Sequence, residues 1–317
     1  MNMTGKLYRR ARAATYWYNF TEAFAYAALH RKTPDNCEYK RLRYGSEKKQ
    51  YVNVCSRKDL EGEKKPALIY IHGGGWVSGI TEMRDTYVAE WAKRGFFTAS
   101  ISYTYAPVKG FPAQLQEIFA AIDFILDRAD EFGIDKSKIA LAGESAGGYF
   151  ILEAAAVSKD SSLLDKIGVS FRRKDDFDVK ALVSHCGCFD LKNLLDKSKP
   201  QSKFFDIDTF VCGFLGMEPD EARAFLETEE GYYSYPHVTK DFPAAFIISA
   251  CRDYLRFEAR DLAESYESLG IKYGEYEGTG IIGQHAWTIA TVLPKGKECF
   301  EKSFSFVSET LGLTGEK

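Results

Sequence analysis

Apolar residues along the chain gather in short unbroken runs, at 67–71, 96–101, 139–142, 181–183 and 244–250. Runs of this length without polar alternation read as strands buried on both faces. The segments between them carry helical spacing, at about 82–94, 113–131, 146–158, 257–269 and 296–311, and a further strand is predicted over 272–277. Strands alternating with helices predict a mostly parallel sheet covered on both faces, an α/β architecture. Ahead of this rhythm, residues 4–31 suit a helix with aromatics and alanines on one face and basic residues on another, and a polar, Lys-rich stretch follows to about residue 50. That helix could lie on a membrane surface, but packing onto its own chain is the favoured reading.

The rhythm breaks between about 190 and 240. Phe204, Phe205, Phe210, Phe214, Phe225, Tyr232, Tyr233 and Tyr235 recur there between charged residues, with no strand alternation. The expectation is one domain over 1–317, with a helical cap made of about 1–45 and 190–240 lying over the strand ends. No repeat or low-complexity tract points to a solenoid or propeller.

Composition narrows the partners. The 317 residues are 45% hydrophobic and carry a formal charge of −3, so no basic field calls for nucleic acid. No segment approaches 18 consecutive apolar residues, and the basic N-terminus lacks the clean apolar run of a signal peptide. A soluble, cytoplasmic protein is expected. Seven cysteines agree with that: an odd number cannot all pair, and the one close pair, Cys186-Gly187-Cys188, has no second cluster to complete a zinc site.

The chemistry lies at the strand ends. Gly143-Glu144-Ser145-Ala146-Gly147 follows an apolar strand and opens a helix, the setting a G-x-S-x-G nucleophile elbow requires. Serine needs a base. Of five histidines, His30 is expected at the surface, His72 opens a glycine run and braces it, and His237 lies at the cap boundary. His185 ends a predicted strand and stays open as a base. His285, on a glycine-bearing loop before the last helix, is the better candidate. Asp253, just past the strand at 244–250, fits the orienting acid in the order Ser, Asp, His, although an Asp there can also cap a helix. Gly73-Gly74-Gly75, after another strand, lets the backbone approach a substrate oxygen. With the Ala146 N–H, these glycines would form an oxyanion hole, without metal or cofactor.

Together, His72-Gly73-Gly74-Gly75-Trp76, Tyr103-Thr104-Tyr105-Ala106-Pro107, Phe111-Pro112-Ala113, Gly143 to Gly148, Asp253-Tyr254-Leu255-Arg256 and His285 resemble the hormone-sensitive-lipase-like esterases. The resemblance implies an α/β-hydrolase fold with a helical cap, Ser145, Asp253 and His285 as the catalytic triad, and Gly73, Gly74 and Ala146 as oxyanion donors. Homodimers are frequent in that family. Glu144 stands where Asp is usual, keeping the carboxylate, and Phe257 replaces a second acid. The implied activity is hydrolysis of small esters with short or medium acyl chains by way of an acyl-enzyme. Two alternatives stay open. Trp76 also suits an amidase resembling the kynurenine formamidases, and the same fold serves as a non-catalytic small-molecule receptor.

Overall fold

The computed structural model describes residues 5–29, 34–202, 206–228 and 237–313, with the backbone alone over 18–29. Eight strands form one sheet: β1 (Cys37–Arg43), β2 (Tyr51–Arg57), β3 (Lys65–Ile71), β4 (Phe97–Ile101), β5 (Ile134–Glu144), β6 (Val179–His185), β7 (Ala244–Ala250) and β8 (Tyr273–Gly278). Their order is β1-β2-β4-β3-β5-β6-β7-β8. β1 and β2 are antiparallel, as are β2 and β4, and the remaining pairs are parallel.

The apolar runs fill two layers at once. In β3, Ala67, Ile69 and Ile71 enter one core while Leu68 and Tyr70 enter the other. β5 repeats this with Ile139 and Leu141 against Ala140 and Ala142, and β7 with Ala245 and Ile247 against Phe246 and Ile248. Positions 67–71 and 139–142 are apolar because neither face of the sheet meets water there.

The helices are α1 (Gly5–Leu29), α2 (Asp85–Lys93), α3 (Ala113–Asp127), α4 (Ala129–Phe132), α5 (Ala146–Lys159) and α6 (Leu163–Ile167), then α7 (Leu191–Leu195), α8 (Ile207–Leu215), α9 (Pro219–Leu226), α10 (Arg256–Leu269) and α11 (Pro294–Thr310). Tyr87, Val88 and Trp91 of α2 share one core with Cys299, Phe300 and Val307 of α11. Residues of α3, α5 and α10 share the other. None of the described helices is long and apolar enough to cross a membrane.

β1 and β2 are where the structure departs from expectation. The stretch assigned to the N-terminal part of the cap, 1–45, includes Cys37–Arg43, which is an edge strand. Its sequence, Cys-Glu-Tyr-Lys-Arg-Leu-Arg, is mostly exposed, and charges of that kind suit an edge that must not recruit another chain. They also hide the strand from a reading based on apolar runs.

The described residues of the 190–240 interval contain α7, α8 and α9, and α1 packs on α8. Leu7 and Ala11 are buried, and a side chain on Gly213 of α8 would approach Ala11 to 3.3 Å. Arg10 pairs with Asp206, which also caps α8 by accepting from the Thr209 N–H at 3.3 Å. Phe214 ties this layer to the core. It is fully buried, stacks on Trp76 with centroids 4.9 Å apart, and meets Tyr149, Phe111 and Phe150 edge-on. Of the aromatics in this interval, Phe210 and Phe214 are therefore core residues and Phe225 is partly buried. Phe204, Phe205, Tyr232, Tyr233, Tyr235 and His30 lie outside the described residues.

Phe214→Ala should leave a cavity among four rings and cost about 3–5 kcal/mol. Equilibrium denaturation with urea would measure this loss as a lower midpoint at unchanged slope.

Candidate active site

β5 ends at Glu144 and α5 starts at Ala146, so one residue makes the turn. That residue, Ser145, has φ 54° and ψ −122°, a backbone region costly for any side chain with a Cβ. Three backbone bonds hold it there: its N–H donates to the His185 carbonyl at 3.0 Å, and its carbonyl accepts from Gly148 at 2.8 Å and Cys188 at 3.2 Å. Gly147 is obligatory beside it, because a Cβ there would lie 2.1 Å from the Ile71 carbonyl oxygen. The small residues of the G-x-S-x-G pattern are thus dictated by how closely β3 approaches the turn.

The structure brings the three distant side chains together. His285 Nε2 lies 2.9 Å from Ser145 Oγ, and His285 Nδ1 lies 2.9 Å from Asp253 Oδ2. A ring nitrogen facing a carboxylate carries the proton, which leaves Nε2 as acceptor for the serine hydroxyl. Asp253 serves two partners, for its other oxygen accepts the Leu255 N–H at 3.0 Å just ahead of α10. Burial alone would raise this carboxyl. The adjacent His285 comes first among the neighbours that outweigh burial, followed by the Leu255 N–H and the nearby Cys186, and together they hold it below the usual carboxylate range. The loop bearing His285 is strapped to the residues before Asp253: Cys251 N–H donates to the Gly278 carbonyl and Arg252 N–H to the Gly283 carbonyl, each at 2.9 Å.

The glycine run is organised differently from expectation at one position. The Gly73 N–H donates to Glu144 Oε1 at 2.9 Å, so it is already committed and is not a free oxyanion donor. Glu144 also accepts from Arg84 Nε at 2.6 Å and from the Tyr70 hydroxyl, all of it buried. The N–H groups of Gly74, Gly75 and Ala146 donate to none of the described residues. The Gly74 carbonyl closes a tight turn by accepting from Val77 at 3.2 Å and Ser78 at 3.1 Å, with Gly74 at φ 113° and Gly75 at φ 58°.

Two other histidines, His72 and His185, have packing roles. His72 is fully buried, stacks on Tyr103 at 4.5 Å and places Nδ1 2.7 Å from the Gly73 carbonyl oxygen, which braces the run. His185 is held at both ring nitrogens, by Thr288 Oγ1 at 2.9 Å and the Tyr87 hydroxyl at 3.0 Å. Burial pushes both imidazoles down to about 3, so both stay neutral. His185 therefore does not share the serine. His237 is partly buried, which lowers it as well. Trp76, the feature favouring an amidase, is buried against Phe214 and Tyr149. Packing accounts for its ring without a substrate.

Two groups lay outside the site expected from sequence. Glu258, in the first turn of α10, accepts from the Phe189 and Asp190 N–H groups at 2.8 and 2.9 Å and so pins the segment after β6. Cys186 lies beside the triad: ligand-type atoms of Cys186, Asp253 and His285 fall within 4.8 Å of one another. An ion held by that set would have to displace the proton between His285 and Asp253.

Sheet order, the elbow and the meeting of Ser145, His285 and Asp253 define an α/β-hydrolase fold. The chain belongs to the BD-FAE family, whose match spans residues 55–256. It is 31% identical to Esterase LipC of Mycobacterium tuberculosis over 250 residues, 76% of this chain and 59% of that protein. It is 38% identical over 175 residues to mouse hormone-sensitive lipase, covering 50% of this chain and 22% of the lipase. The chain thus spans less than two thirds of either relative. Esterase B of Lactobacillus rhamnosis superposes with a TM-score of 0.79 over 97% of this chain and 96% of its own, at 17% identity.

Glu258 gives a pH test. Burial is the largest effect on it and lifts its carboxyl to about 8 from an ordinary 4.5, against the pull of the two N–H donors. A raised folded value stabilises fully below the unfolded value and is lost as pH rises toward the folded one. Glu258→Gln stays neutral throughout, so its melting temperature should gain on that of the parent between about pH 4.5 and 8. Parallel curves across that window would contradict the assignment.

Proposed function

We propose that this protein is a serine carboxylesterase that hydrolyses small esters with short or medium acyl chains through an acyl-enzyme. The observation that carries the reading is the unbroken line from Ser145 Oγ through the His285 ring to Asp253, 2.9 Å at each step, beside backbone N–H groups with no partner among the described residues. Ser145 attacks the ester carbonyl while His285 Nε2 takes its proton, and the ionised Asp253 stabilises the imidazolium. The negative oxygen is received by the N–H groups of Gly74 and Ala146, with Gly75 replacing Gly73, which Glu144 occupies. Each such donor contributes ~10²–10³ in rate. His285 then protonates the leaving alcohol, and water repeats the cycle on the acyl-enzyme.

In this reading α1 with α7, α8 and α9 is the cap, and Phe210 roofs the oxyanion site, since its ring lies 3.1 Å from where a side chain on Gly75 would begin. Ile281 and Trp287, exposed on the His285 loop, support an apolar acyl or aryl group. The cysteines are all unpaired, which suits a cytoplasmic setting. Homodimerisation remains part of the proposal by family likeness.

Ser145→Ala should lower kcat by roughly 10⁴–10⁶-fold with the fold intact, and His285→Ala comparably. His185→Asn should cost stability but far less kcat per folded molecule. p-Nitrophenyl esters of increasing acyl length, assayed beside N-formylkynurenine, would check this. Faster turnover of the formamide would favour the amidase, and a folded parent unlabelled by a fluorophosphonate would favour a receptor.

A further inference from the structure

Cys186-Gly187-Cys188 stood out in the sequence for want of a partner, and the structure wraps it around the triad. The segment grips the elbow from both sides through the His185 carbonyl, which accepts the Ser145 N–H, and the Cys188 N–H, which donates to the Ser145 carbonyl. Between those grips Cys186 adopts φ 50°, the left-handed region that a residue with a Cβ rarely occupies. Its N–H donates to the Ile248 carbonyl at 2.7 Å, which fastens it to the strand leading to Asp253. Gly187 leaves no room for a side chain, since a Cβ there would lie 2.4 Å from Ser184 Oγ.

The strained backbone aims the side chain. The thiol is buried at 1% exposure, and Cys186 Sγ, an Asp253 oxygen and a His285 ring nitrogen all lie within 4.8 Å of one another. A carboxylate has about four acceptor positions, and the His285 ring and the Leu255 N–H fill two of those on Asp253. We propose, building on the serine-esterase reading, that Cys186 is a positioning residue whose thiol hydrogen faces Asp253, keeping the carboxylate ionised and its Oδ2 directed at His285. Burial and the neighbouring Asp253 charge both raise this thiol, so it stays protonated and able to donate. Conversely, Cys186 is among the hydrogen-bond donors that lower Asp253. No bond to sulfur forms or breaks during turnover.

Three variants separate the thiol from the backbone. Cys186→Ser keeps a donor, Cys186→Ala removes it and keeps the strain, and Cys186→Gly removes both. Steady-state kinetics on p-nitrophenyl acetate across pH would be read with the melting temperature of each variant. Losing a weak donor to a charged acceptor should lower kcat about tenfold in Cys186→Ala at unchanged KM. The acid limb of kcat/KM should also move to higher pH, because a less satisfied carboxylate holds the imidazolium proton more tightly. Cys186→Gly should follow Cys186→Ala, while Cys186→Ser should restore most of kcat and the parental limb. Cys186→Ala with parental kcat and limb would overturn the proposal. So would equal losses in all three variants that track melting temperature alone with no movement of the limb. A parent protein with no esterase turnover would instead sink the enzymatic reading itself.

Discussion

Ser145 occupies a backbone conformation that no isolated serine would choose, and the site is arranged around holding it there. The cost is of order 1–3 kcal/mol. It is met by the parallel pairing of β5 with β6, which brings the His185 carbonyl and the Cys188 N–H to either side of the turn. A slip of β6 by one residue would swap which face each side chain meets and remove both grips. The neighbouring parts are referenced to the same turn. The glycine run begins against it, since a Cβ on Gly73 would lie 2.9 Å from Ser145 Cβ. The loop of His285 is tied to β7, the strand hydrogen-bonded to β6.

Three buried carboxylates share one structural device. Glu144 takes the Gly73 N–H, Asp253 the Leu255 N–H, and Glu258 the Phe189 and Asp190 N–H groups. Each N–H belongs to a segment that has just left a strand and lost its ladder partner. A buried donor without a partner would cost about 1–3 kcal/mol, so a carboxylate placed there replaces the missing strand. The Glu144–Arg84 pair need not add net stability, because desolvation offsets most of its attraction. What it secures is geometry, with the carboxylate held where it takes up the Gly73 N–H.

Much of this was legible beforehand. The long apolar runs forecast the parallel strands because burial on both faces demands them, and Ser145, Asp253 and His285 each stood at the end of a strand in the order the chemistry needs. What escaped notice has a common physical cause. β1 is an edge strand, so its charged residues carry no apolar signature. The choice between Gly73, Gly74 and Gly75 depends on which N–H is occupied, and the occupant, Glu144, lies 71 residues away. The role of Glu258 and the company kept by Cys186 are likewise contacts across the sheet edge, invisible to spacing along the chain.

The aromatic layer over the site is better understood as a fixed roof than as a swinging lid. A lid must leave its closed position without stripping the core, and α8 cannot. Phe214 is shared among Trp76, Tyr149, Phe111 and Phe150 with none of its surface in water. Trp76 is in turn anchored through its carbonyl, which accepts from the Ala106 N–H at 2.9 Å and from Gln114 Nε2 at 2.8 Å. Lifting α8 would pull on the residue that follows Gly75 and disturb the backbone donors next to it. In the proposed esterase mechanism the roof acts by staying in place. It keeps apolar rings against Gly75 and lowers the local dielectric, which strengthens each N–H contact to a developing oxyanion.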